Sequence, residues 1–194
     1  MKMKTQNIMI VGVGGQGTLL ASKLLGKVLL NEGYDVKVSE VHGMSQRGGS
    51  VVTYVRYGDK VYSPTIDMGE ADTIISFELL EAARWLPYLK EGGRIIVNTQ
   101  EMEPMPVITG AKKYPEDLVN KMQSEGAIVD ADDFLFIAKK AGSTKAVNIA
   151  LMGRFASTLP EIPKESWIEA IKSSVPPKFL ELNLKAFEEG YSGA

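Results

Sequence analysis

Gly12-Val13-Gly14-Gly15-Gln16-Gly17 stands between an apolar run, Ile8-Met9-Ile10-Val11, and a stretch of helical periodicity. The run reads as a buried strand. Across residues 18–30, Leu20, Leu24 and Val28 recur at helical spacing, and Ala21, Leu25 and Leu29 recur beside them. A glycine-rich loop between strand and helix lets backbone N–H groups approach an anion at the positive end of a helix dipole. The spacing fits G-x-G-x-x-G with Gly15 added. On its own the fingerprint is shared by many unrelated proteins. It equally describes a tight turn whose glycines only permit close packing, and both readings stay open at this point.

Outward from this turn, strand and helix patterns alternate. Gly33 closes the first helix, and residues 35–41 alternate polar and apolar as a strand does. Residues 50–56 read as a further strand, with a turn at Gly58-Asp59 and a short hairpin arm at residues 60–62. Residues 73–77 form a strand, and residues 78–89 a helix that Pro87 must bend or end, with Gly92-Gly93 as its terminator. Residues 94–98 are the next strand. Residues 101–106 hold two prolines and read as a loop, and Pro115 opens a helix to residue 124. Residues 127–129 are a short strand, and Asp132 or Asp133 caps a helix ending near residue 141. Ser143-Thr144 opens a helix over residues 146–157, and two tail helices, 164–173 and 178–189, are separated by Pro176-Pro177. The order predicts an α/β chain, a Rossmann-like three-layer α/β/α arrangement with a mostly parallel sheet and a helical C-terminal tail. It is read as a single domain over residues 1–194, with a core at about 7–155 and the tail at about 160–194.

The second unusual segment is Val41-His42-Gly43-Met44-Ser45-Gln46-Arg47-Gly48-Gly49-Ser50. It follows a strand, and open α/β sheets place their ligands at the carboxyl ends of strands. Arg47 can grip a phosphate or carboxylate bidentately, and His42 can titrate near neutral pH. A solvated loop with an ordinary surface arginine is the plainer alternative. Two glycine-rich loops at the ends of neighbouring strands weigh against that alternative. Glu40 lies 23 residues beyond Gly17, where a dinucleotide-binding domain holds a ribose hydroxyl. A dehydrogenase would also need a general acid or base and a substrate domain. Only His42 could serve as the first, and no second domain follows.

Composition excludes whole classes of chemistry. The 194 residues contain no cysteine and one histidine. Disulfides, thiolate zinc sites, cysteine nucleophiles and iron–sulfur ligation are therefore outside this chain's own side chains. The formal net charge of -2 shows no basic stripe, so nucleic acid is not an expected partner. The apolar runs are too short for a membrane span or a signal-peptide core, and the cytoplasm is the expected compartment.

Gly12-Val-Gly-Gly-Gln-Gly17 together with Glu40-Val-His-Gly-Met-Ser-Gln-Arg-Gly-Gly49 resembles the gamma-type subunit of the 2-oxoacid:ferredoxin oxidoreductases, above all the small (beta) subunit of the indolepyruvate type. Asp72-Thr-Ile-Ile-Ser-Phe-Glu78 and Asn148-Ile-Ala-Leu-Met-Gly153, similar to the family's N-x4-G helix, extend the likeness over residues 7–155. The resemblance implies a small subunit of an enzyme that oxidatively decarboxylates aryl pyruvates with coenzyme A and passes electrons to ferredoxin. It implies a large partner subunit carrying thiamine diphosphate and iron–sulfur clusters, with neither cofactor nor metal on this chain and no activity alone. The absence of cysteine agrees with that division.

No residue here is singled out as catalytic. The candidates for binding substrate, coenzyme A or another anion are Gly14, Gly15, Gln16, Gly17, His42, Ser45, Gln46, Arg47, Gly48 and Gly49, followed by Glu40 and Asn148. A free-standing Rossmann-like nucleotide-binding domain or dehydrogenase, and a purely structural interaction subunit, are the competing readings.

Overall fold

The computed structural model describes residues 4–41 and 49–193. Among them a six-stranded sheet runs in the order β2-β3-β1-β4-β5-β6. The strands are β1 Gln6–Val13, β2 Asp35–Val41, β3 Ser50–Gly58, β4 Ala71–Ser76, β5 Leu89–Asn98 and β6 Ile128–Asp132. β1, β4, β5 and β6 pair in parallel, whereas β3 is antiparallel to both β1 and β2. Five strands therefore point one way. The expected α/β/α architecture with a mostly parallel sheet is present. One detail differs: β1 and β2 are not neighbours, because β3 turns back and fits between them.

β1 is apolar on both faces, as a strand covered from both sides must be. Ile8 and Ile10 face one core with Ala21, Leu24, Leu25 and Val28 of α1 (Thr18–Asn31). Met9 and Val11 face the other, with Leu79 and Ala82 of α2 (Leu79–Trp85) and Leu118 and Met122 of α4 (Leu118–Ser124). A one-turn helix, α3 (Met105–Ile108), lies between α2 and α4 in the chain. α1 ends as predicted at Gly33, which has φ 85, while Tyr34 N–H returns to Leu29 O. Asp133 caps α5 (Phe134–Ala141) by accepting from Phe136 N–H at 2.8 Å.

The tail packs on the α1 side. α6 (Val147–Ser157) and α8 (Leu180–Ser192) approach backbone to backbone through Gly153 and Gly190. A Cβ on Gly153 would lie 2.2 Å from Phe187 O, and one on Gly190 would lie 2.0 Å from Ala150 O. The glycine of the N-x4-G pattern is thus a helix-packing residue. Trp167 of α7 (Lys164–Lys172) is fully buried, with its ring 6.1 Å from Phe155 and 6.3 Å from Phe187. Arg154 joins α6 to β6 through Asp130 at 2.8 Å and Asp132 at 3.0 Å, and to α8 through Gly190 O at 3.1 Å.

Five local expectations are corrected. Residues 60–62 form no strand; instead Val61 N–H donates to Asp35 Oδ2 at 2.9 Å and the segment is clasped by that carboxylate. α2 stops at Trp85 and a 3-10 turn, Leu86–Tyr88, follows, since Pro87 has no N–H to continue the ladder. Gly92-Gly93 then lies inside β5 rather than at a helix end, where the pairing with β4 shifts register between Ala71 and Thr73. Residues 105–108 of the expected loop form α3. Finally, α4 begins at Leu118, not Pro115, because Asp117 takes a left-handed conformation with φ 58.

Gly190→Ala should force α6 and α8 apart. Overpacking of this kind costs about 1–3 kcal/mol, or about 2–4 °C in Tm per kcal/mol for a chain of this size. Urea and thermal unfolding measure it, and an unchanged midpoint would mean that the two backbones do not meet.

Candidate functional site

All five co-directional strands deliver their carboxyl ends to one edge of the sheet, and β3 starts there. α1 packs on one face and α2 on the other, so the chain changes side between β1 and β4. Open α/β sheets form their ligand crevice at such a switch point.

The turn from β1 to α1 occupies it. Gly15 has φ 97 and Gly17 φ 91, backbone that L side chains rarely adopt. Gly12 is required for a different reason: a Cβ there would sit 2.9 Å from Gln16 Oε1 and 3.0 Å from Phe77 Cβ. The Gln16 carboxamide accepts from Val13 N–H at 2.7 Å and donates to Phe77 O at 3.0 Å. It therefore braces the turn against the end of β4. Gln16 N–H donates to Val13 O at 3.2 Å and Gly14 N–H to Gly49 O at 2.9 Å. Leu20 and Ala21 N–H both return to Gly17 O. Among the described residues, the N–H groups of Gly15, Gly17, Thr18 and Leu19 donate to no protein acceptor. They are the open amides of a helix N-terminus, the arrangement that holds anions.

Three clefts surround the turn. The first, about 330 Å³, lies between Gly14, Thr18 and Leu19 on one side and Glu40, Val41 and Thr53 on the other. Glu40 accepts from Ser22 Oγ of α1 at 2.7 Å, so it ties β2 to α1. The second, about 430 Å³, lies between Gly15, Gln16 and Gly17 and the start of α6 at Lys145 and Asn148. The third, about 550 Å³, runs from Val13, Gly49 and Ser50 to Glu78, Glu81 and Arg84, with Met105 and Ile108 on its rim.

Of the predicted residues, Gly14, Gly15, Gln16, Gly17, Glu40, Gly49 and Asn148 gather at this edge. His42, Ser45, Gln46, Arg47 and Gly48 lie outside the described residues. Val41 and Gly49, which bracket them, are both at the same edge as the glycine turn.

Three residues that sequence reading passed over hold this edge together. Glu78 is almost fully buried at the N-cap of α2. Its carboxylate accepts from Glu81 N–H at 2.7 Å, Met102 N–H at 3.1 Å and the Tyr114 hydroxyl at 2.5 Å. Burial, and then the bond to Glu78, pushes the Tyr114 hydroxyl above the usual tyrosine range. Glu81, also buried, accepts from Ser50 Oγ and from Arg84 Nε, which fixes the first residue of β3. Asn98, at the end of β5, donates to Phe77 O at 3.2 Å and accepts from Phe134 N–H at 3.1 Å. For Glu78 and Asn98 the available signal was position, since each stands at or just after the end of an apolar strand, whereas Glu81 lies inside α2.

Among the described residues no group of three His, Cys, Asp or Glu side chains is placed to hold a metal ion. No described helix is long and apolar enough to cross a membrane.

With this geometry in view, the comparisons with known proteins are direct. The chain matches the family described as pyruvate ferredoxin/flavodoxin oxidoreductase over residues 7–193, the tail included. It is 45% identical to indolepyruvate oxidoreductase subunit IorB of Thermococcus kodakarensis, across 99% of this chain and 97% of that protein. It is 44% identical to the subunit of the same name from Pyrococcus horikoshii, with the same coverage. A crystal structure of a keto/oxoacid ferredoxin oxidoreductase gamma subunit from Geobacter sulfurreducens superposes with a TM-score of 0.72 at 25% identity, covering 96% of each chain. The glycine turn, its position at the switch point and the full-length match together mean that this chain belongs to the pyruvate ferredoxin/flavodoxin oxidoreductase family.

Proposed function

We propose that the chain is the small subunit of an enzyme that oxidatively decarboxylates aryl pyruvates of the indolepyruvate type. The products are carbon dioxide and an acyl-CoA, and the two electrons released pass to ferredoxin. Thiamine diphosphate and the iron–sulfur clusters reside on a large partner subunit, because a chain without cysteine offers no thiolate to a cluster. The observation that carries the reading is the open row of amides at Gly15, Gly17, Thr18 and Leu19, braced by Gln16, in a chain nearly half identical to IorB subunits. Leu19, Val41, Met105 and Ile108 are exposed apolar side chains that line or rim the first and third clefts. Apolar surface so close to a polar site suits a face covered by another subunit. The small subunit then supplies one wall of a shared active site, with the amides and Arg47 holding a phosphate of coenzyme A or the substrate carboxylate.

A dehydrogenase reading loses its main support in Glu40. Its carboxylate is bonded to Ser22 on α1, on a strand separated from β1 by β3.

The chain purified alone should carry no iron and no thiamine diphosphate, and should not reduce ferredoxin or a dye with aryl pyruvates. Metal analysis showing stoichiometric iron on the lone chain would contradict the division of labour. Affinity purification from its source should bring down a large chain that contains thiamine diphosphate.

Arg47→Ala should raise the apparent KM for coenzyme A or for the 2-oxoacid by about 10- to 100-fold in the reconstituted pair. A charge-assisted hydrogen bond is worth about 1.5–3 kcal/mol, and about 1.4 kcal/mol is tenfold. Size-exclusion chromatography establishes assembly, and steady-state kinetics with each substrate varied in turn measures the effect. Loss of assembly instead would favour a purely structural subunit. Intact assembly with unchanged KM and kcat would overturn the anion-holding role of Arg47.

A further inference from the structure

The sheet has two edges, and they differ. β6 is short and carries Asp130 and Asp132, both tied to Arg154. β2 is longer, contains no proline and pairs with β3 in unbroken register. Native proteins block a free edge with charge, proline or a bulge. On the α1 side of β2 that block is missing. Val36 packs partly into the α1-side core, and Val38 beside it is 43% exposed. Leu30 of α1, 61% exposed, stands over the same strand. A groove of about 450 Å³ runs between helix and strand, with Lys23 and Lys27 on its helix wall.

The hydrogen-bond parity of the sheet fixes which way β2 turns its backbone. Gly14 N–H donates to Gly49 O, one step beyond the pair of Val13 and Ser50. Bonded and non-bonded pairs alternate along an antiparallel ladder. Val51, Thr53 and Val55 of β3 therefore turn their backbone to β1, and Val52, Tyr54 and Arg56 turn theirs to β2. The β2 partners of those three are Val41, Ser39 and Lys37. The N–H and C=O groups of Val36 and Val38 thus point away from the sheet, and no described strand receives them.

We propose that this edge pairs with β2 of a second copy of the chain, antiparallel about a two-fold axis at Val38, so that two sheets become one. Directly opposed residues of an antiparallel pair share a face. A two-fold axis normal to the sheet must then pass through a residue, and it keeps both α1 helices on one side. At Lys37 the axis would set an ammonium against its own copy, and like charges directly opposite are destabilising. At Ser39 it would set the exposed Val38 against the Glu40 carboxylate of the other copy. At Val38, valine meets valine and Lys37 meets Ser39. The charges of the groove fit the same axis. Ser22 Oγ bonds Glu40, and a Cβ on Gly26 would lie 3.9 Å from a Val38 methyl, so α1 runs antiparallel to β2. Lys27 and Leu30 then lie toward the Val36 end of the strand. The axis brings Glu40 of the other copy opposite Val36, on the side where the Lys27 ammonium stands, and the exchange is mutual. A two-fold interface requires that kind of self-complementarity.

Analytical ultracentrifugation of the full-length chain over a concentration series should show a monomer–dimer equilibrium. Val38→Lys sets two ammoniums face to face on the axis and should abolish the dimer with circular dichroism unchanged. The chain has no cysteine, so single-cysteine variants report the register directly. Cα atoms of a bonded antiparallel pair are about 5.5 Å apart, inside the disulfide range of about 4.4–6.8 Å. Under mild oxidation Val38→Cys should give a disulfide-linked dimer faster than Lys37→Cys or Ser39→Cys. It should also outpace Met68→Cys, an exposed site that reports random collision. If Val38→Lys loses its fold, the cysteine series alone decides.

A monomer at every concentration, or a dimer that survives Val38→Lys, would overturn the pairing. Faster linkage through position 37, 39 or 68 than through position 38 would overturn the axis. A chain that is monomeric alone, and whose Val38→Lys variant no longer co-purifies with the large chain, would assign the edge to a strand of that large chain and overturn the second copy.

Discussion

The carboxamide of Gln16 is the link on which the functional edge depends. It reaches from the turn after β1 to Phe77 O at the end of β4 and accepts from Val13 N–H on its other side. Both contacts require small neighbours, and Gly12 supplies the space. With the turn pinned to the next strand, Gly15 and Gly17 are held in left-handed backbone and the first amides of α1 remain open. A net hydrogen bond contributes only about 1 kcal/mol. The importance of Gln16 lies in geometry, since it helps decide which N–H groups of the turn are used inside the protein and which remain open.

The rest of the edge is built around the same logic. Glu78, Glu81 and Asn98 are buried polar groups whose hydrogen bonds join strand ends, helix starts and loops at this edge. Burying a carboxylate is costly unless it is hydrogen-bonded, and Glu78 meets that condition with three donors. Glu81 fixes the start of β3 through Ser50, Asn98 joins the end of β5 to Phe77 O and the start of α5, and Glu78 holds the start of α2. The sheet interior, by contrast, is apolar packing on both faces.

The fold was largely legible in the sequence because its signals are local. The helical spacing of Leu24, Leu25 and Val28, the stop at Gly33 and the cap at Asp133 each have a short-range physical cause. What escaped was long-range. No local pattern says that β3 inserts between β1 and β2, because antiparallel return and parallel crossover look alike in a strand of valines. Gly92-Gly93 has the composition of a helix stop, yet its role is set by the register between β4 and β5. Asp117 can adopt left-handed backbone more readily than most residues, and that moved a helix start by three positions. At the site, the glycine turn was visible as a motif, but the task of Gln16 was not. A glutamine inside a phosphate-loop fingerprint reads as a ligand donor until its two protein partners are seen.

On the function proposed, the amides after β1 form a ligand surface and not merely a packed turn. Amide chemical shifts of the full-length, isotopically labelled chain during titration with pyrophosphate test it most directly. Saturable shifts confined to the turn and the start of α1 are expected, with Gly15 and Gly17 moving most and Gly14, already bonded to Gly49, moving less. Shifts absent from these residues while other parts of the chain respond would contradict it, and the glycines would then serve packing alone.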